Sequence, residues 1–238
     1  MEKDANDLAH IAVRLLEKTD QNRRLLIGIS GIPASGKSTF AALLTERINR
    51  LLKTSHNADA NQHLKPSLGW HLTRAQLDVM PDPKLAHDRR GAHWTFDSEG
   101  YVAFVRLLKE EILSSKPVIM GPSFDHAMKD PGPNTVFVQS FHRIVIIEGL
   151  YTFLSIDPWK EAGLLLDERW LFQIELEEAT RRLVKRHVIT GVAKDMKEAI
   201  WRAEENDMPN GRFLLANSLE PTRIISSKDD IPFPGVSN

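Results

Sequence analysis

The stretch Gly31-Ile32-Pro33-Ala34-Ser35-Gly36-Lys37-Ser38 fits the spacing G-x-x-x-x-G-K-[ST]. Directly before it, Leu25-Leu26-Ile27-Gly28-Ile29-Ser30 is a short, branched apolar run of the kind that forms a buried parallel strand. Directly after it, Phe40, Leu43, Leu44, Ile48, Leu51 and Leu52 recur at helical spacing. A strand, a glycine turn and a helix in that order form a phosphate cradle. The glycines let consecutive backbone N–H groups point at phosphate oxygens, and the helix N-terminus adds partial positive charge. Gly31 through Ser38, with Thr39, are therefore the candidate nucleotide contacts. Lys37 would reach the β- and γ-phosphates and the Ser38 hydroxyl would ligate Mg²⁺, so ATP and Mg²⁺ are the expected cofactors.

Outward from this loop, residues 5–18 carry Leu8, Ile11, Ala12, Leu15 and Leu16 at helical spacing. Residues 53–66 are polar and read as a surface loop. Short helices are predicted at 73–80 and 83–90, separated by Pro81-Asp82-Pro83, and a longer one over 98–114. Pro117–Met120 and Ile144–Ile147 read as core strands, with a Gly/Pro-rich loop at 129–134 between them. Trp170–Ile174 and Thr222–Ile225 read as further strands, with a basic helix at 177–189 and another helix at 195–205. Strands alternating with helices predict an α/β fold, a parallel sheet of about five strands covered on both faces.

Composition removes several alternatives. The chain has 238 residues, 42% of them hydrophobic, which suits one main domain with a sizeable core and argues against disorder. With no cysteine there is no disulfide scaffold, thiolate zinc site, iron–sulfur cluster or cysteine nucleophile. A net charge of -1 gives no general attraction to nucleic acid or to an acidic membrane. No apolar run approaches the roughly 18 residues of a membrane helix, and Glu2, Asp4 and Asp7 are unlike a basic leader, so a cytoplasmic location is expected. Neither Asn-Lys-x-Asp nor Leu-Ser-Gly-Gly occurs, which disfavours a GTPase and a transporter ATPase.

The ordered set of motifs resembles the uridine kinase, phosphoribulokinase and bacterial pantothenate kinase superfamily, in particular its uridine kinase-like branch. It comprises Gly31–Ser38, Gly69-Trp70-His71, Arg89–Asp97, Pro122–His126, Val145–Tyr151 and Arg181–His187, with Glu205–Gly211 as a branch feature. The resemblance spans about residues 24–227. It implies a single P-loop NTPase domain over 1–238 with an N-terminal helix at 3–18, a core at 24–227, a helical lid at about 181–195 and a tail at 228–238. It also implies that Glu148, at the end of Ile-Ile-Glu-Gly, helps hold Mg²⁺. In the cluster Arg181, Arg182, Lys185 and Arg186, the resemblance makes Arg182 and Arg186, one helical turn apart, the candidates for stabilising the transferring phosphoryl group. Acceptor-pocket candidates are His71, Arg90, Trp94, Phe96, Asp97, Phe124, Asp125 and His126, aromatics with a few polar groups being what a small-molecule pocket needs.

One departure bears on catalysis. Where the family carries an aspartate that serves as base and metal partner, this chain has Leu68, and Pro66 interrupts the strand expected before it. His71, Asp97 or Asp125 would have to act as base instead. The expectation is a kinase acting on a hydroxyl of a small metabolite, with no nucleic-acid or membrane partner and with homo-oligomerisation open. The alternative is a nucleotide-binding regulatory subunit with impaired catalysis.

Overall fold

The structure is a computed structural model and describes residues 1–54, 69–113, 117–125 and 130–227. The expected loop at 53–66 (apart from its first two residues), Pro66, Leu68, His126 and the tail at 228–238 lie outside the described residues, as does the side chain of Asp125. In chain order the elements are α1 (Glu2–Glu17), β1 (Leu25–Gly31), α2 (Lys37–Thr54), α3 (Arg74–Asp78), α4 (Pro83–Asp88), α5 (Ser98–Lys109), β2 (Ile119–Asp125), β3 (Asp130–Val138), β4 (Ile144–Glu148), α6 (Trp159–Leu165), β5 (Glu168–Gln173), α7 (Leu176–Ile189), α8 (Met196–Arg202), α9 (Met208–Ala216) and β6 (Arg223–Ser226). A 3₁₀ turn occupies His93–Thr95 and a π-helical turn Ala203–Asp207.

Strands β4, β1, β5 and β6 form one parallel sheet in that order. Every residue of β1 and β4 is buried, as the continuous apolar runs require of strands covered on both faces. Side chains alternate between two cores. Leu25, Ile27, Ile29, Ile144, Ile146, Trp170 and Phe172 meet α1 and α2, where Ala5, Ala9 and Ala12 lie among Phe40, Leu44 and Ile48. Leu26, Val145 and Ile147 face the other way, toward Tyr101, Val105 and Leu108 of α5 and toward Trp159 of α6.

Three expectations change. The sheet has four strands among the described residues rather than about five. Ile119 and Met120 do not enter it; β2 pairs antiparallel with β3 as a separate two-stranded unit, register running from Ile119↔Val138 to Asp125↔Asp130 with a shift between Gly121 and Ser123. The Gly/Pro-rich stretch read as a loop is thus strand β3, where Pro131 and Pro133 are tolerated because a two-stranded unit has free edges needing no ladder donor. In addition, Met208–Ala216, to which the sequence assigned no element, is a helix. Pro209 sits in its first turn, where a missing N–H costs nothing.

Candidate functional site

β1 ends at Gly31 and α2 begins at Lys37, so the loop between them stands at the carboxyl edge of the sheet, where ligands of open α/β folds bind. A side chain at Gly31 would meet Phe172 Cβ and O at 2.8 Å, so only glycine lets the loop leave so close to β5. Gly36 turns through φ +95° and Ala34 through φ +62°, a left-handed conformation that a residue with a Cβ adopts only under constraint. The constraint is local packing. Ser35 N donates to Ile32 O at 3.2 Å, and Ala34 packs against the cluster of Leu183, Ala203 and Met208. Pro33 and Ala34 are half-buried, Ser35 is buried, and Ser38 and Thr39 are exposed at the start of α2.

Lys37 Nζ donates to Ile32 O at 3.3 Å. Burial pushes its ammonium below the ordinary lysine value, Glu148 opposes that, and Arg186 adds to it. Arg186 is itself held below the ordinary arginine value by burial, against the pull of Asp207. Two half-buried cations that repel each other, each with one acidic neighbour, Glu148 for Lys37 and Asp207 for Arg186, make a site whose electrostatic need is an anion. Arg186 forms no ion pair within 4 Å among the described residues, so its donors are uncommitted.

Arg182 is engaged with different partners. It is buried, with Nε donating to Glu178 Oε1 at 2.6 Å and Nη1 to Ser227 Oγ at 3.1 Å beyond β6. Arg181 also donates to Glu178, and the two guanidiniums hold that carboxyl at about 2. The structure therefore separates two arginines that helical spacing places together: Arg186 faces Lys37, while Arg182 ties α7 to the chain after β6.

Glu148 ends β4 beside Ile29, and Gly149 N donates to Ile29 O at 3.1 Å, continuing the ladder. Its side chain is 4% exposed, within electrostatic reach of Lys37. Among the described residues no group of three or more His, Asp or Glu could cage a metal. Mg²⁺ keeps several waters and takes one or two carboxylates plus substrate phosphates. Glu148 and the exposed Ser38 hydroxyl fit that requirement.

Glu148 also lines a recess whose other walls include Trp70, Phe96, Tyr101, Tyr151 and Trp159. His71 lies next to it, half-buried between the rings of Phe96 at 4.2 Å and Phe124 at 4.7 Å. Gly69 lets this segment press on β2, since a Cβ there would sit 2.3 Å from Phe124 N. Arg90 stacks over Phe124 and donates to Asp130 Oδ1 at 2.7 Å. His93 stacks flat on Phe213 at 4.3 Å, and burial lowers its pKa. Trp94 is exposed. Asp97, a candidate base, is an exposed N-cap of α5 whose Oδ1 accepts from Gly100 N at 2.9 Å, and it does not line the recess. Sequence reasoning missed Trp70, Tyr101, Tyr151 and Trp159 as lining, because apolar residues at helical or strand spacing read equally well as core. It also missed Asp130, while Asp207 fell within the Glu205–Gly211 stretch without a role of its own.

A strand, phosphate loop and helix, an acid-ended neighbouring strand and a cationic helix over the loop define a P-loop kinase. The profile described as "Phosphoribulokinase / Uridine kinase family" matches residues 26–158, and the chain belongs to that family. The chain is 33% identical over 222 residues to the Schizosaccharomyces pombe protein C227.14, named provisionally as a uridine kinase, covering 93% of this chain and 91% of the relative. It is 44% identical over 151 residues to the ATP-dependent kinase-like protein notR' of Aspergillus versicolor, covering 63% of this chain and 88% of that one. Among solved structures, a protein from Silicibacter sp. TM1040 described provisionally as a fructose transport system kinase superposes with TM-score 0.75 at 27% identity, covering 92% of this chain and 98% of that one. The Saccharomyces cerevisiae YFH7 structure shares the fold with TM-score 0.81 at 23% identity, covering 95% of this chain and 99% of that one. Among the described residues, no helix is long and apolar enough to cross a membrane.

Proposed function

We propose that the protein transfers the γ-phosphoryl group of MgATP to a hydroxyl of a small metabolite. The observation that carries this reading is the meeting of Lys37, Arg186 and Glu148 at the sheet edge, with Glu148 also lining the aromatic recess. The recess holds only about 30 Å³, too little for a whole metabolite, so an acceptor would bring its hydroxyl to the mouth of the recess, at the same edge as the phosphates. The new bond joins the acceptor oxygen to the γ-phosphorus, the bond to the β-phosphate oxygen breaks, ADP leaves, and the hydroxyl proton passes to a base. Ser38 and Glu148 would hold Mg²⁺, which when bound would neutralise charge developing on the phosphates. Loop N–H groups and Lys37 would hold the triphosphate, and Arg186 would stabilise charge on the transferring group. His71, packed on Phe96 of the recess wall, would serve as base, since the Asp97 carboxylate is occupied as a helix cap. A positioned base contributes about 10²–10⁴-fold, so turnover without the family aspartate is slowed rather than excluded.

Leu68 supports a second reading, a nucleotide-binding regulatory subunit. Incubating the protein with MgATP and pooled nucleosides, sugars and pantothenate-like alcohols, with phosphoryl transfer followed by mass spectrometry, separates the two. A phosphorylated product that disappears in Lys37→Ala supports the kinase and names its acceptor. ATP hydrolysis indifferent to every acceptor overturns that reading, and product from Leu68→Asp alone supports the regulatory one.

A further inference from the structure

We propose that Asp207 is a positioning residue: through His187 it holds α7 so that Arg186 stays beside Lys37. The inference rests on the kinase reading for what Arg186 does, and on geometry for the rest. His187 follows Arg186 on α7 and is buried, and its Nε2 lies 3.0 Å from Asp207 Oδ2. A buried imidazole needs such a partner, and this one comes from a different element, so the bond fastens α7 to the turn that carries Asp207. Asp207 also acts on Arg186 directly, its negative charge opposing the effect of burial.

That turn is the π-helical segment Ala203–Asp207, and π turns often mark functional sites because they shift the register of every side chain that follows. Here the segment touches three parts of the site. Toward the acceptor side, Arg89 Nη1 donates to Glu205 O and Asn206 Nδ2 donates to Arg90 O at 3.0 Å. Toward α7, Ala203 and Met208 pack with Leu183. Toward the phosphate loop, the same cluster takes in Ala34, and Gly211 lies so close to Ile32 that a Cβ would meet it at 3.3 Å. Phosphoryl transfer depends mainly on holding nucleotide, cations and acceptor in one geometry, and this turn is where the elements bearing them converge.

A role in bulk stability alone would predict something different, and a double-mutant cycle on the full chain separates the two. MgATP affinity is read with a fluorescent nucleotide, and backbone hydrogen exchange is read over residues 182–190. Asp207→Ala should weaken MgATP about tenfold and speed exchange across 182–190. Asp207→Asn, which can still accept from the imidazole, should stay within about threefold of the unmodified protein. In an Arg186→Ala background, Asp207→Ala should add less than about twofold. The full tenfold loss persisting without Arg186, or unchanged affinity and exchange in Asp207→Ala, overturns the proposal. His187→Phe keeps the ring volume, removes the hydrogen bond and serves the same cycle if Asp207→Ala does not fold. Should the unmodified protein bind no MgATP, the kinase reading fails, and the exchange data alone then decide whether Asp207 holds α7.

Discussion

Lys37 is placed against its own stability. Burial disfavours its charge, and Arg186 disfavours it further. The native pKa lies below that of the unfolded chain, so the unfolded state binds more protons between the two values, and stability rises as pH climbs through that interval. Below it the full cost of burying the ammonium is present. Lys37→Met should therefore raise the Tm of the nucleotide-free protein by about 2 °C or more while abolishing MgATP binding, a trade of stability against function. A bound triphosphate restores the charge, so MgATP affinity should fall with rising pH sooner than an ordinary lysine would allow, and binding there should take up a proton, measurable by calorimetry in buffers of differing ionisation enthalpy. Lys37 was legible in the sequence because its role depends on backbone spacing. The division between Arg182 and Arg186 was not, since helical spacing shows a shared face but not Glu178 and Ser227, which engage one of them.

Helix α5 begins at Asp97, whose carboxylate caps Gly100 N, and caps of this kind contribute about 1 kcal/mol. Asp97→Ala should lower Tm by about 2–4 °C, whereas Asp97→Asn retains the cap and should leave Tm and turnover nearly unchanged. A large loss of turnover in the Asn variant, with Tm intact, would return Asp97 to the role of base. Helix α7 makes the complementary acid-side prediction. Two arginines hold Glu178 at about 2, so its stabilising effect is complete above the ordinary carboxylate range and is lost as pH falls toward that value. Thermal unfolding between pH 5 and 2 should show a shallower decline for Glu178→Gln than for the unmodified chain. The elements most legible in the sequence were those whose pattern burial dictates, continuous apolar runs in β1 and β4 and helical spacing in α2 and α5. β3 and α9 were hidden by Pro131, Pro133 and Pro209, each of which is permitted by a context that composition does not display, a two-stranded unit in one case and a first helical turn in the other.

At the scale of the molecule, the phosphate loop and the start of α2 together engage both cores and α7. Ile32 packs in the core beneath α5, Phe40 in the core beneath α1, and Ala34 against Leu183 and Met208. A ligand on that loop therefore stabilises the chain as a unit, by about 2.7 kcal/mol at a hundredfold excess over Kd, or about 5–10 °C in Tm. Glu148 divides this gain into two parts with opposite signs. Its carboxylate acts on Lys37 and would repel phosphate when no metal is present, yet it is the one buried acid among the described residues at the sheet edge and is our proposed partner for Mg²⁺. Glu148→Gln should thus bind metal-free ATP at least as well as the unmodified protein, with an undiminished thermal shift in chelator, while the further shift that Mg²⁺ adds should shrink or vanish. Thermal unfolding with ATP in excess magnesium and in excess chelator reads both parts. A magnesium increment fully preserved in Glu148→Gln would place the metal on other ligands and leave Glu148 only its electrostatic role toward Lys37.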